Sequence, residues 1–148
     1  MQTASVLIGL VVLSAVLGLV WRARTGRIQR SLHTGAVSEN RISIPDAPSF
    51  GSRATLLQFS TQVCTPCKTT HTLLSGLAAE LDDGTGAIVH VDIDVTSRPE
   101  IANRFNLLQS PTIFILDGNG ELHARIGGAP KATDVRTELE RILRPVLS

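Results

Sequence analysis

Cys64 and Cys67 stand two residues apart in Cys64-Thr65-Pro66-Cys67, and they are the only cysteines in the chain. A disulfide scaffold uses several pairs, so one close pair points to chemistry rather than to stapling. The pair falls where an extended apolar stretch, Ala54 to Ser60, gives way to a helical one running to Leu81. A helix that starts near Cys64 sets its sulfur beside backbone N–H groups with no intrahelical partner, and the positive end of the helix dipole favours the thiolate. A free thiol titrates near pKa ~8.5, and such a setting lowers it into a range of about 3.5–7.5. Cys64 is therefore the expected nucleophile. Cys67, almost one turn further in and more shielded, is expected to resolve the mixed disulfide and close a Cys64–Cys67 redox disulfide. Pro66 suits the first helical turn, where its missing N–H is not needed. Lys68 adds positive charge beside the thiolate, or is a solvated surface cation.

Two other uses of these residues stay open. A permanent disulfide between such near neighbours closes a tiny loop and removes little unfolded-state entropy. A metal site would take Cys64, Cys67 and His71, spaced C-x-x-C-x-x-x-H, as a non-catalytic metal- or copper-binding protein. Four ligands are the rule for such sites, and no fourth is evident.

The elements that must position the pair follow from pattern. Ala54 to Ser60 and the β-branched run Ala87 to Ile93 read as strands, the latter central and buried. Between them lies the helix Cys64 to Leu81. Pro99 to Leu107 is a short helix with proline near its start. Thr112 to Leu116 and Leu122 to Ile126 flank Asp117-Gly118-Asn119-Gly120, residue types that accept positive φ and signal a hairpin. Lys131 to Leu143 is an amphipathic helix with Val135, Leu139, Ile142 and Leu143 on one face. This order of strands and helices requires a mixed sheet, with crossovers first and an antiparallel hairpin later.

The N-terminal third is different. Ala4 to Trp21 carries no charge and would span about 27 Å as a helix at ~1.5 Å per residue, enough for a bilayer core. Trp21 closes it where an aromatic ring sits at headgroup level. A cleaved signal peptide would show a basic residue before the apolar run and small residues after it; neither is present. The expectation is a transmembrane helix over 4–21, a basic juxtamembrane linker over 22–50 and a globular domain over 51–148. Arg22, Arg24, Arg27 and Arg30 follow the span, so the positive-inside rule places the domain on the cytoplasmic face of a single-pass protein, the alternative being the extracytoplasmic face. Arg41 to Ile44 alternates like a short edge strand that Pro45 stops.

With these residues in view, the chain resembles the thioredoxin-fold family over about Arg53 to Arg144. The resemblance rests on Cys64-Thr65-Pro66-Cys67-Lys68 after a strand, Ser110-Pro111-Thr112 opening a later one, the Gly118 to Gly120 hairpin, Gly127-Gly128 and the closing helix. It implies an α/β thioredoxin-like fold, a mixed central sheet flanked by helices, here with one N-terminal transmembrane helix. It also implies a cis Ser110–Pro111 bond opposite the cysteines, and substrate contacts at Val63, Ser110 and Gly127. Three positions depart from the family pattern. Val63 stands in place of a tryptophan, Gln58 in place of a buried aspartate, and His90 in place of a lysine. An imidazole titrates near pH 6.5, so His90 is a candidate acceptor for the Cys67 proton that Gln58 cannot take; the other reading is that Gln58 and His90 bond to each other.

The implied activity is a protein disulfide reductase, or thiol–disulfide oxidoreductase, tethered to a membrane. Its partners would be protein or small-thiol disulfides and an external reductant. No cofactor beyond the reversible disulfide is expected, since no flavin, haem or nicotinamide motif is present. A peptide-binding scaffold acting through Ser110 and Gly127-Gly128 would not need the cysteines. Nucleic acid is excluded on charge, because from Gly51 onward nine Lys and Arg face eleven Asp and Glu, a net of about −2.

Overall fold

The computed structural model describes residues 2–24, 28–30 and 41–144, with side chains described at 6–20, 28, 29 and 41–144. The elements are α1 (Gln2–Arg24), β1 (Ile28–Arg30), β2 (Ala54–Ser60), α2 (Thr65–Leu81), β3 (Ile88–Asp94), α3 (Pro99–Arg104), β4 (Thr112–Asp117), β5 (Leu122–Gly127) and α4 (Ala132–Leu143). They form the thioredoxin-like α/β arrangement that the sequence led us to expect. The strands lie in the order β1-β5-β4-β2-β3. β2 runs parallel to β3 and antiparallel to β4, while β4 and β5 form an antiparallel hairpin.

Alternation along the strands sorts side chains to two faces. Ala54 and Leu56 of β2, Ile88 of β3, Ile113 and Ile115 of β4 and Ala124 and Ile126 of β5 pack with Leu74, Leu77 and Ala78 of α2 and Val135 and Leu139 of α4. On the other face Leu57, Phe59, Val91, Ile93, Phe114 and Leu116 pack with Ile101 of α3 and with Ile42 and Ile44. Phe59 and Phe114 meet edge to face at 5.0 Å between centroids. Helices thus cover both faces of β2.

Several expectations differ in detail. Arg41 to Ile44 is not a continuous strand: Arg41 makes one bridge to Glu121, and the Ile42 N–H donates to the Gly120 carbonyl at 2.8 Å. Pro45 has no N–H with which to extend the pairing, yet the alternation remains, with Ile42 and Ile44 both buried. In the hairpin, only Gly120 of residues 118–120 takes positive φ, +78°. Gly118 is required for another reason: a Cβ there would come within 2.0 Å of the Ser52 carbonyl oxygen. Inside the span read as a linker, Ile28 to Arg30 pairs antiparallel with β5, Ile28 opposite Ile126 and Arg30 opposite Ala124.

The transmembrane expectation is not recovered in the fold: among the described residues no helix is long and apolar enough to cross a membrane. The expectations for the side chains of Trp21, Arg22, Arg24, Arg27 and Arg30 lie outside the described residues.

Leu74 is fully buried between α2 and the sheet. We expect Leu74→Ala to lower the unfolding free energy by about 2–5 kcal/mol in urea denaturation of the oxidised protein. Val63→Ala, at a side chain 95% exposed, should change it by less than about 0.5 kcal/mol.

Candidate active site

β2 delivers the chain to the site. It ends at Ser60, the Cys64 N–H donates to the Thr61 carbonyl at 3.2 Å, and α2 begins at Thr65 with Cys64 as its N-cap. The Cys67 N–H, one of the helix-start donors without an i−4 partner, points at Cys64 Sγ at 3.2 Å. Pro66 occupies the first turn, where it removes no helical bond. The two sulfurs are bonded to each other at 2.07 Å, with Cα atoms 5.3 Å apart. Cys64 is half-buried and Cys67 only 4% exposed, the asymmetry expected of an attacking and a resolving sulfur.

A groove of about 350 Å³ opens beside the pair, lined by Cys64, Cys67, Lys68, His71, Ser60 and Asp92 among others. Lys68 is exposed on its wall. Val63, before the first cysteine, is almost wholly in solvent. The Ser110–Pro111 bond is cis, with Pro111 buried and Ser110 exposed. Thr112, the next residue, pairs with both Phe59 of β2 and Gly127 of β5, so Pro111 lies at the same end of the sheet as the cysteines. Gly127 lies under the Gln109 side chain, and a Cβ there would come within 1.9 Å of Gln109 Nε2.

Behind the pair, Gln58 is fully buried on β2. Its Nε2 donates to the Cys67 carbonyl at 3.1 Å and to Asp92 Oδ2 at 3.4 Å, while its Oε1 accepts from His90 Nε2 at 3.3 Å. Both polar atoms of this buried amide have partners. Burial, with the neighbouring His71 second, pushes the His90 pKa down to about 4 against the opposing pull of Asp92. The His71 and His90 rings meet edge to face at 4.7 Å between centroids, and His71 Nδ1 lies 3.2 Å from Asp92 Oδ2. Ser60 Oγ donates to Asp92 Oδ1 at 2.6 Å.

Sequence reasoning did not single out Asp92 or Leu108. Asp92 has a signal in retrospect, because the alternation Ile88-Val89-His90-Val91-Asp92 puts His90 and Asp92 on one face. Leu108, 83% exposed in the loop before Pro111, has none beyond being an apolar residue in a loop.

A thioredoxin family model matches residues 49–141. The chain is 30% identical over 95 residues to thioredoxin H5 of Oryza sativa subsp. japonica, a match covering 64% of this chain and 66% of that protein. It is 35% identical over 81 residues to the thioredoxin of Chlamydia trachomatis, covering 55% and 76%. The crystal structure of chloroplastic thioredoxin z aligns with a TM-score of 0.54 at 26% identity, over 62% of this chain and 79% of that one. Reduced Schistosoma mansoni thioredoxin pre-protein aligns at 0.51, also 26% identical, over 62% and 80%. The family match takes in more than half of the chain and has the cysteine pair within it. On these grounds the chain belongs to the thioredoxin family and carries the redox-active pair of a thioredoxin-type disulfide oxidoreductase.

Proposed function

We propose that the chain reduces client disulfides through Cys64 and Cys67 while held at a membrane by its N-terminal helix. The observation that carries the reductase reading is the disulfide-bonded pair at a helix start, its first sulfur accessible and its second enclosed. In the reducing direction the Cys64 thiolate attacks a client sulfur, giving a mixed disulfide and releasing one client thiolate. Cys67 then attacks Cys64 Sγ, and the second client thiolate leaves. Two electrons pass from the pair to the client, and an external dithiol must restore them. Exposed Val63 and Leu108 offer apolar surface to a client, and the exposed Ser110 before the cis proline offers backbone for an extended segment to pair with. Electrons travel on the sulfurs alone in this scheme, so no further cofactor is required.

The tether reading rests on the uncharged run Ala4 to Trp21 and on the exposure of α1, whose residues from Val6 to Val20 all face away from protein. Exposed Leu, Val and Ile side chains at 45–68% lose favourable burial in water at roughly 25 cal/mol per Å², which a lipid environment restores. The arginines after the run support a cytoplasmic domain over about 51–148, where reduction is the favoured direction. The metal-carrier alternative has less behind it: His71 turns to Asp92, and among the described residues no group of three or more His, Cys, Asp or Glu side chains is placed to hold a metal ion.

His90 is poorly placed to take the Cys67 proton. Its Nε2–H is engaged by Gln58, and a pKa near 4 makes it a poor base at neutral pH. A histidine held neutral in the folded state has a plain consequence. Between about pH 6.5 and about pH 4 the unfolded chain binds a proton that the folded chain refuses, so stability falls as pH drops through that window.

The wild-type chain, supplied with dithiothreitol, should reduce insulin, and Cys64→Ser should lose that activity; a folded wild type without turnover would remove the reductase reading. A membrane-impermeant maleimide should label reduced Cys64 only after cells are permeabilised. Labelling in intact cells would move the domain to the outer face, and recovery of the chain in the aqueous phase after detergent partition would remove the tether. In urea titrations from pH 7 to pH 4, His90→Gln should lose less stability than the wild type; equal losses would show that His90 is not held neutral.

A further inference from the structure

The position on β2 where the family places an acid is an amide here, and an amide cannot take a proton. The acid has a near substitute on the next strand. Asp92 is the Cα partner of Gln58 in the parallel β2–β3 pairing, and both residues face α2. Gln58 donates to the Cys67 carbonyl and to Asp92 Oδ2 with the same nitrogen, so a single side chain separates the carboxylate from the backbone of the resolving cysteine. Asp92 and Cys67 line the same groove. Ser60 fixes Oδ1, and His71 and Gln58 share Oδ2. A carboxylate offers about four lone-pair sites, which leaves room for one more donor. The charged or titratable groups around it are His71 and Lys68 from α2 and His90 and Asp94 on the same face of β3; β2 contributes only Gln58 and Ser60.

We propose that Asp92 receives the Cys67 proton during resolution of the mixed disulfide, with Ser60 and His71 holding its carboxylate at the groove wall. The step balances as follows. The Cys67 S–H proton passes to Asp92, directly or through one groove water, and the Cys67 sulfur forms its bond to Cys64 Sγ. The bond between Cys64 Sγ and the client sulfur breaks, the client leaves as a thiolate, and Asp92 later returns the proton to solvent. Relative to a buried acid on β2, this places the proton acceptor on β3 and in contact with solvent, where its exchange needs no opening of the core.

This inference rests on the exchange reading above, and the experiment separates the two. The reduced whole chain is mixed with 5,5′-dithiobis(2-nitrobenzoate) in a stopped-flow instrument. Attack by Cys64 releases one coloured thiolate, and resolution by Cys67 releases the second. Asp92→Asn should leave the first phase unchanged and slow the second by about 10²-fold at neutral pH, the low end of what a positioned proton acceptor contributes. The deficit should shrink as pH rises past about 8.5, where a thiol ionises unaided. Asp92→Glu, which keeps the carboxylate, should recover most of the rate and its pH dependence. A second phase unaffected by Asp92→Asn, or slowed equally at every pH, would overturn the proposal, as would failure of Asp92→Glu to recover while its first phase is normal. A wild type that releases no second thiolate would defeat the exchange reading itself.

Discussion

β2 is paired on both edges and covered on both faces, and this enclosure governs the rest of the molecule. A strand so placed has no free backbone or side-chain surface along its length. Chemistry can only appear where it ends, at Ser60, and the chain there must turn directly into α2. Any polar side chain inside the enclosed stretch has to be fully satisfied, because an unpartnered buried amide costs about 1–3 kcal/mol. Gln58 meets that demand by bonding to Cys67, Asp92 and His90 together. The requirement to satisfy one core amide is therefore also what links Cys67 to the polar residues of β3.

The start of α2 explains why the two sulfurs are unequal. Helix-start N–H groups need acceptors, and the one from Cys67 is shared between Cys64 Sγ and the Cys64 carbonyl, each at 3.2 Å. A negative charge on that sulfur would strengthen the same contact. Cys67, one turn inside, gains the shielding of the helix and of Gln58. Lys68 stands exposed on the groove wall.

Much of this was legible in the residues. Ala54 to Ser60 and the Thr112 to Ile126 hairpin are apolar runs bounded by turn formers, and they fold as such. The helix after Cys64 was legible too, shifted by one residue because Cys64 serves as the cap. Asp92 was harder. Alternation fixes the face of β3 it occupies, but which α2 and β2 residues share that face depends on register, and register is a property of the assembled sheet. Ile28 to Arg30 was beyond reach for a related reason. Three residues carry no period, and what makes them a strand is the open edge of β5. That pairing also covers the edge of β5, which would otherwise offer unpaired amides to other chains.

The direction of that short strand also fixes where α1 joins the domain. Ile28 lies opposite Ile126, next to Gly127, and Gly127 pairs with Thr112, whose other neighbour is Phe59 near the close of β2. The first residue of β1 is thus at the catalytic rim of the sheet, not the far one. Four peptide links join it to Arg24, the last residue of α1, and at 3.8 Å between successive Cα atoms they reach no more than about 15 Å. The end of α1 therefore stays within that reach of the residue that opens β1, on the side of the sheet where the cysteines stand.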